Sequence, residues 1–395
     1  MIKREKYIAP IREFYDSDLI KIITGIRRCG KSVILEDVRK EIEQKSDNII
    51  FVDFDDAGNL AAIPDGITLL QYIENHKNNN GLCYVFLDEI QRIDGWAEAC
   101  RTLRVRNCSV FISGSNSKLL SREFTKELSG RYVSFRIRPF VYKELLKYAL
   151  ELNKNQMTTM DYIVWGGFPK RIEFDSLEAQ KKYLNDLNET IIINDIISRY
   201  KIRKTEEFKR IVNYVLISNA RIFSARSISD YMKKEGLSCT VSTVVKYLGY
   251  LEEAFVIEII KKYSNKAKRE LGYFQKVYDE DVSFNSIRAL ENRFDLTHNF
   301  ENIVYNELIY MGYSLQVYNY NGREIDFVAT KGNKKYFIQV AYSVVEDKAY
   351  KRELSAFDKL DNSHQKILIT NDDLDYSTST VRHIKFIDFV MMDEL

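Results

Sequence analysis

Residues 20–35 read IKIITGIRRCGKSVIL, and no other stretch so narrows what this chain can fold into. Gly25-Ile26-Arg27-Arg28-Cys29-Gly30-Lys31-Ser32 satisfies G-x-x-x-x-G-K-[ST] at every fixed position. Glycine lets such a loop turn successive backbone N–H groups inward onto a phosphate, and the positive end of the following helix adds to the field. Lys31 then reaches the β- and γ-phosphates, and the Ser32 hydroxyl is placed to ligate Mg²⁺. The motif has this meaning only between a strand and a helix. Ile20, Ile22 and Ile23 predict a buried strand entering the loop, and Val33, Ile34, Leu35, Val38 and Ile42 predict a helix leaving it. A chance glycine turn would lack both flanks. Gly25, Ile26, Arg27, Arg28, Cys29, Gly30, Lys31, Ser32 and Val33 are therefore the expected nucleotide cradle.

A second element completes the chemistry. Residues 82–87 are apolar throughout and end in Asp88-Glu89, 57 positions after Lys31. Continuous apolar character is what a central parallel strand shows. Asp88 at its end would hold Mg²⁺ through water or jointly with Ser32, while Glu89 would take a proton from the attacking water. An acidic strand end can also simply cap a helix, so the reading rests on the pairing with the loop. A further strand at 108–113 leads into Gly114-Ser115-Asn116. Ser115 and Asn116 are candidates to touch the γ-phosphate or the attacking water, against an ordinary turn. Arg131, before a strand at 132–137, is a candidate γ-phosphate arginine in cis or on a neighbouring subunit, against a surface arginine in a turn. Arg27 and Arg28 have two open roles, phosphate contact or anchorage to acidic residues elsewhere.

The 395 residues allow two or three domains, and 26 tyrosines and 22 phenylalanines supply ample core. Formal net charge is only +2, so no global field favours nucleic acid or membrane. Five scattered cysteines without a C-x-x-C pair suggest reduced thiols rather than disulfides or zinc. With no secretory signal and no apolar run of about 18 residues, the expectation is a soluble, cytoplasmic protein with no membrane partner.

The motifs GIRRCGKS, FLDEIQ with Trp96 behind it, SGSN, LSGRY and RPF, in this order, resemble a large prokaryotic family of AAA-type ATPases. That family is close to the STAND-type archaeal ATPases and carries a C-terminal domain of unknown function. The likeness continues through Gly166-Gly167-Phe168-Pro169 and residues 195–203, so it covers most of the chain. It implies ATP with Mg²⁺ as cofactors, an ATPase core over residues 1–140, and a helical lid over 141–204. It implies fold and cofactor more than purpose.

Residues 205–284 predict helix, helix, turn, helix and hairpin, the order of a winged helix, which the resemblance also implies. The third helix would turn Val241, Val244, Val245, Leu248 and Leu251 inward and present Ser242, Thr243, Lys246, Tyr247 and Tyr250; the hairpin adds Lys261, Lys262, Lys266, Lys268 and Arg269. Such a wing suits the phosphates of duplex DNA, but winged helices in STAND-type ATPases also serve as internal lids. Residues 285–395 predict a restriction-endonuclease-like core. Asp326 fits the first acid of a PD-(D/E)xK site, and Glu301 or Glu307 its helix carboxylate. The second strand reads Gln339-Val340-Ala341, where glutamine lacks the charge and alanine lacks the ammonium, so a degenerate module is expected, against compensation by Glu324, Glu346 and Asp347 from shifted positions. The expected whole is an α/β protein: a P-loop NTPase parallel sheet with helical lid, a winged helix, and a restriction-endonuclease-like α/β domain. Its expected activity is Mg²⁺-dependent ATP hydrolysis as a nucleotide-driven switch. The alternative is a DNA- or protein-binding regulator that holds ATP with little turnover, and behind it an ATP-controlled nuclease. ATP, duplex DNA, a protein effector and further copies of the chain are the candidate partners.

Overall fold

The strand β1 (Ile20–Thr24) is buried at every residue, which requires cover on both faces. It lies inside a five-stranded sheet of order β2-β3-β4-β1-β5, with β2 (Ile49–Asp53), β3 (Cys83–Asp88), β4 (Cys108–Gly114) and β5 (Tyr132–Arg136). All four pairings are parallel. The register sets Thr24 beside Gly114 and Asp53 beside Asp88. The C-terminal ends of β1, β3 and β4 therefore meet at one edge, where ligands bind in open α/β sheets.

This computed structural model describes residues 2–78, 81–115, 128, 130–154, 157–237, 239–260, 275–320, 323–358, 360–361 and 364–395. They form two compact units, residues 1–139 with 253–255 and residues 140–252 with 256–395. In the first unit the helices are α1 (Glu5–Arg12), α2 (Lys31–Glu43), α3 (Ala57–Ala62), α4 (Gly66–His76) and α5 (Trp96–Val105). α2 buries Ile34, Leu35, Val38 and Ile42, a stripe at helical spacing. Leu69 and Ile73 of α4 join Trp96, Cys100 and Leu103 of α5 in one core with β2, β3 and β4.

The second unit opens with α6 (Tyr142–Glu151), α7 (Thr159–Trp165) and α8 (Leu177–Asn188), which runs through a π-helical segment, Glu189–Asp195, into α9 (Ile196–Tyr200). Then come α10 (Thr205–Ile217), β6 (Ile222–Phe223), α11 (Ala225–Lys234), α12 (Val241–Glu253), β7 (Ile257–Ile260) and β8 (Gln275–Asp279). β8 is the middle strand of an antiparallel sheet, β6-β8-β7. α13 (Ser283–Ser286) and α14 (Leu296–Tyr310) lead to the last sheet, order β13-β12-β11-β10-β9. Its members are β9 (Ser314–Tyr320), β10 (Arg323–Lys331), β11 (Lys334–Ala341), β12 (Gln365–Thr370) and β13 (Val381–Lys385). The first three are antiparallel, and β11, β12 and β13 run parallel. α15 (Asp347–Ser355) supplies the crossover that a parallel β11–β12 pair needs, and α16 (Phe386–Phe389) follows β13. No helix among the described residues is long and apolar enough to cross a membrane.

Candidate functional site

The loop between β1 and α2 is shaped by two backbone requirements. Gly25 has φ +146°, and a Cβ there would fall 2.1 Å from the Ile137 carbonyl oxygen. Gly30, immediately before α2, has φ +101° in the left-handed region. Both positions need glycine, for close approach and for the turn. No side chain caps α2 at Gly30, which leaves its N-terminal field directed at the loop. Cys29 is buried within the loop, and its Sγ donates to the Ile137 carbonyl at 3.4 Å. Arg28 adopts φ +66° and is exposed.

Lys31 is 5% exposed, and its Nζ donates to the Ile26 carbonyl at 3.1 Å within the same loop. Glu89 faces it, with Oε1 4.0 Å from that Nζ. Glu89 has φ +50° and ψ +41°, an uncommon conformation for a side-chain-bearing residue, at the end of β3. Its Oε2 accepts from Ser115 Oγ at 3.2 Å and from the Gln91 amide. Arg27 Nε reaches the same Ser115 hydroxyl at 3.4 Å. Asp88 is 3% exposed. Burial pushes its carboxyl up, hydrogen bonds from Ser113 and Ser32 pull it back, and the Glu89 charge raises it again. A buried carboxylate held by two hydroxyls, one of them Ser32, fits a Mg²⁺ that keeps most of its remaining ligands as phosphate or water.

Gly25 through Val33, Asp88, Glu89 and Ser115 are thus gathered at one sheet edge. Asn116 lies outside the described residues. Arg131 is not gathered there in cis. It is exposed, and its carbonyl accepts from Ile20 N at 3.0 Å, at the opposite end of β1 from the loop.

Two residues of this site escaped the sequence reading. Ser113, at the end of β4, donates to Asp88 Oδ1, and its Oγ also accepts from Glu89 N at 3.3 Å. β4 sits between β1 and β3, and a hydroxyl interrupting its apolar run was the available signal. Arg4 is 3% exposed and donates from Nη1 to Cys29 O at 3.1 Å and to Arg138 O at 2.9 Å. It ties the loop to the chain beyond β5, and no local pattern announces that contact.

The described part of the second unit also departs from the expected DNA-facing surface. Of the five residues expected inward, Val244, Leu248 and Leu251 are buried, whereas Val241 and Val245 are 40% and 56% exposed. Tyr247, expected outward, is buried with its ring edge-on to Phe208 at 5.1 Å. The buried stripe of α12 is narrower than expected on one side and takes in Tyr247 on the other, so its outer face shows two valines beside Ser242 and Lys246. The hairpin residues Lys261, Lys262, Lys266, Lys268 and Arg269 lie outside the described residues.

A family model described as an AAA domain matches residues 17–146. Two domains of unknown function match beyond it, DUF8612 over residues 157–292 and DUF4143 over residues 296–389. An uncharacterized protein of Haemophilus influenzae is 31% identical over 378 residues, which span 94% of this chain and 93% of that protein. Uncharacterized protein MJ1544 of Methanocaldococcus jannaschii is 30% identical over 377 residues, 90% of this chain and 82% of that one. Among solved structures, the Walker-type ATPase PABY2304 of Pyrococcus abyssi is similar with a TM-score of 0.51 and 16% identity, covering 73% of this chain and 96% of that one. At that identity the likeness is one of fold.

Proposed function

The chain belongs to the family of these Haemophilus influenzae and Methanocaldococcus jannaschii proteins, and from that premise we propose that its AAA domain binds and hydrolyses ATP with Mg²⁺ as a nucleotide-driven switch. The observation that carries the reading is the meeting of Lys31 and Glu89, 4.0 Å apart, across the mouth of the loop. In this reading the loop N–H groups and Lys31 hold the phosphates. Ser32 and Asp88 would hold Mg²⁺, which neutralises charge on the phosphate oxygens when bound. Glu89, aligned by Ser115 and Gln91, takes the proton of the attacking water. Ser113 holds the Asp88 carboxylate and, by accepting from the Glu89 backbone N–H, the turn that aims Glu89.

We assign residues 141–204 to a helical lid, 205–284 to a winged helix and 285–395 to a restriction-endonuclease-like module without nuclease activity. Support for the last is the mixed sheet with a helix crossover, together with Gln339 and Ala341 where an active site needs a carboxylate and an ammonium. Steady-state ATP hydrolysis by wild type and Glu89→Gln, with and without duplex DNA, tests the assignment. Turnover abolished by the substitution is expected. Turnover equal in the two proteins would sink the hydrolase reading and leave a nucleotide-holding regulator. Stimulation by DNA would assign the winged helix to DNA; indifference would move the search to protein partners.

A further inference from the structure

Three residues of the chain belong to a different unit from their neighbours. Glu253, Ala254 and Phe255 are part of the first unit, while the stretches before and after them, 140–252 and 256–395, are part of the second. Glu253 ends α12, and Ala254 and Phe255 make the turn that leaves it. Ala254 and Phe255 are buried, 4% and 5% exposed. Phe255 has φ +57°, in the left-handed region. Around it Val256 N donates to Leu251 O at 2.9 Å, the bond that closes a helix over a left-handed residue. Glycine is the usual occupant of that position, because a side chain there is strained. Ending the helix needs only glycine, so the phenylalanine ring answers to something else.

The ring meets an arginine of the parallel sheet. Arg136 Cζ stands 4.8 Å from the centroid of Phe255, the separation of a cation–π contact. Arg136 is the last residue of β5 and lies in register beside Thr24, the last residue of β1. The next residue, Ile137, reaches the phosphate loop through its backbone. Its N–H donates to Thr24 O at 2.7 Å, and its carbonyl accepts from Cys29 Sγ at 3.4 Å. A Cβ on Gly25 would strike that same carbonyl. Backbone packed this closely has no slack, so a loop that rearranges around a phosphate carries the Ile137 carbonyl with it. Loop, Ile137, Arg136 and Phe255 thus form one run of contacts inside the first unit, and its last member is covalently continuous with α12.

We propose that the seating of Phe255 on Arg136 is the contact through which the phosphate loop controls the end of α12, so that nucleotide state is expressed as a tightened or released turn at residues 253–256. The inference rests on the reading of the loop as a nucleotide site. It couples the matched AAA domain to the 157–292 segment, which contains Phe255. Strain supplies the second state that such a coupling needs, since a left-handed phenylalanine persists only while its surroundings hold it. Two sites then bias one contact, which is the physical content of an allosteric link.

The test is amide hydrogen exchange of the full chain with and without the ATP analogue AMPPNP and Mg²⁺, read over residues 25–33 and 251–256. It compares wild type, Phe255→Gly and Arg136→Met. Phe255→Gly removes the ring and relieves the left-handed strain, so the turn still closes. Arg136→Met keeps an unbranched side chain and loses the guanidinium plane. In wild type the analogue is expected to slow exchange about threefold or more in both stretches. In both variants the slowing at 25–33 is expected to remain and that at 251–256 to vanish. Slowing at 251–256 that survives in either folded variant overturns the proposal, and so does wild-type slowing confined to 25–33. If Arg136→Met does not fold, Phe255→Gly decides alone. Absence of slowing at 25–33 in wild type is a different failure: it removes the nucleotide reading, and this inference with it.

Discussion

Lys31 and Lys276 are each 5% exposed, yet they are held in opposite ways. Lys31 has a loop carbonyl at 3.1 Å and a carboxylate only as near as 4.0 Å. Lys276 has a cage of three carboxylates, Glu301, Glu324 and Asp326, between 2.6 and 3.2 Å. A buried charge is costly unless paired, so the loosely held lysine suits the proposed nucleotide site, where a phosphate would complete its pairing, while the carboxylate-ringed one has its partners already. Burial does not separate the two cases; the quality of pairing does.

The sharpest break in the comparison comes from removing each ammonium. Lys31→Ala should weaken ATP binding by about 100-fold or more by titration, the loss of a charge-assisted phosphate contact. Lys276→Met should leave ATP affinity within about twofold, because its cage is not expected to meet nucleotide. Glu89→Gln comes next: ATP binding is kept while kcat falls by about 10²–10⁴-fold, the range for a lost general base.

Lys276→Met should instead cost stability, about 3–5 kcal/mol at pH 7 in urea unfolding, as for breaking a buried pair from one side. The sign with pH follows from the carboxyls. Their folded values are raised above the unfolded ones, so the unfolded chain releases its protons first. Without the ammonium to oppose that rise, stability should fall as pH climbs from about 4.5 upward, more steeply in the variant than in wild type. Equal slopes would mean that Lys276 does not govern the cage.

Glu307 sharpens the contrast, since it is fully buried and held by the Tyr142 N–H at 2.9 Å rather than by an ammonium. Burial raises its carboxyl to about 8. Stability should therefore drop between about pH 4.5 and pH 8 in wild type, and Glu307→Gln should gain about 1–2 kcal/mol at pH 8 but nothing at pH 4. The smallest effect is expected for Arg4→Met. Losing its grip on Cys29 O should loosen the loop and weaken ATP binding several-fold, about 1 kcal/mol, with kcat little changed.

The phosphate loop, the Asp88-Glu89 strand end and the parallel strands were legible because each is written in contiguous residues. Glycine spacing, a lysine and serine at fixed offsets, and apolar runs constrain the backbone locally, whatever else the chain does. α12 shows where that reasoning thins. Periodicity placed Val244, Leu248 and Leu251 in the core but not the residues flanking that stripe, Val241, Val245 and Tyr247. Val245 is 56% exposed and Tyr247 7%, because an aromatic partner, Phe208, waits on one side.

Residues that act through distance were illegible. Arg4 meets Cys29 across 25 positions and Arg138 across 134, and Ser113 meets Asp88 across 25. Lys276 reads in sequence as one more lysine after a basic stretch. Its partners Glu324 and Asp326 are 48 and 50 positions away, and only the packing of β8 against α14 and β10 brings them together. The sequence by itself determined the phosphate-binding loop, since its backbone chemistry is local. Tertiary structure alone decided which buried lysine is loosely paired and which is ringed by carboxylates, since pairing a charge depends on neighbours far along the chain.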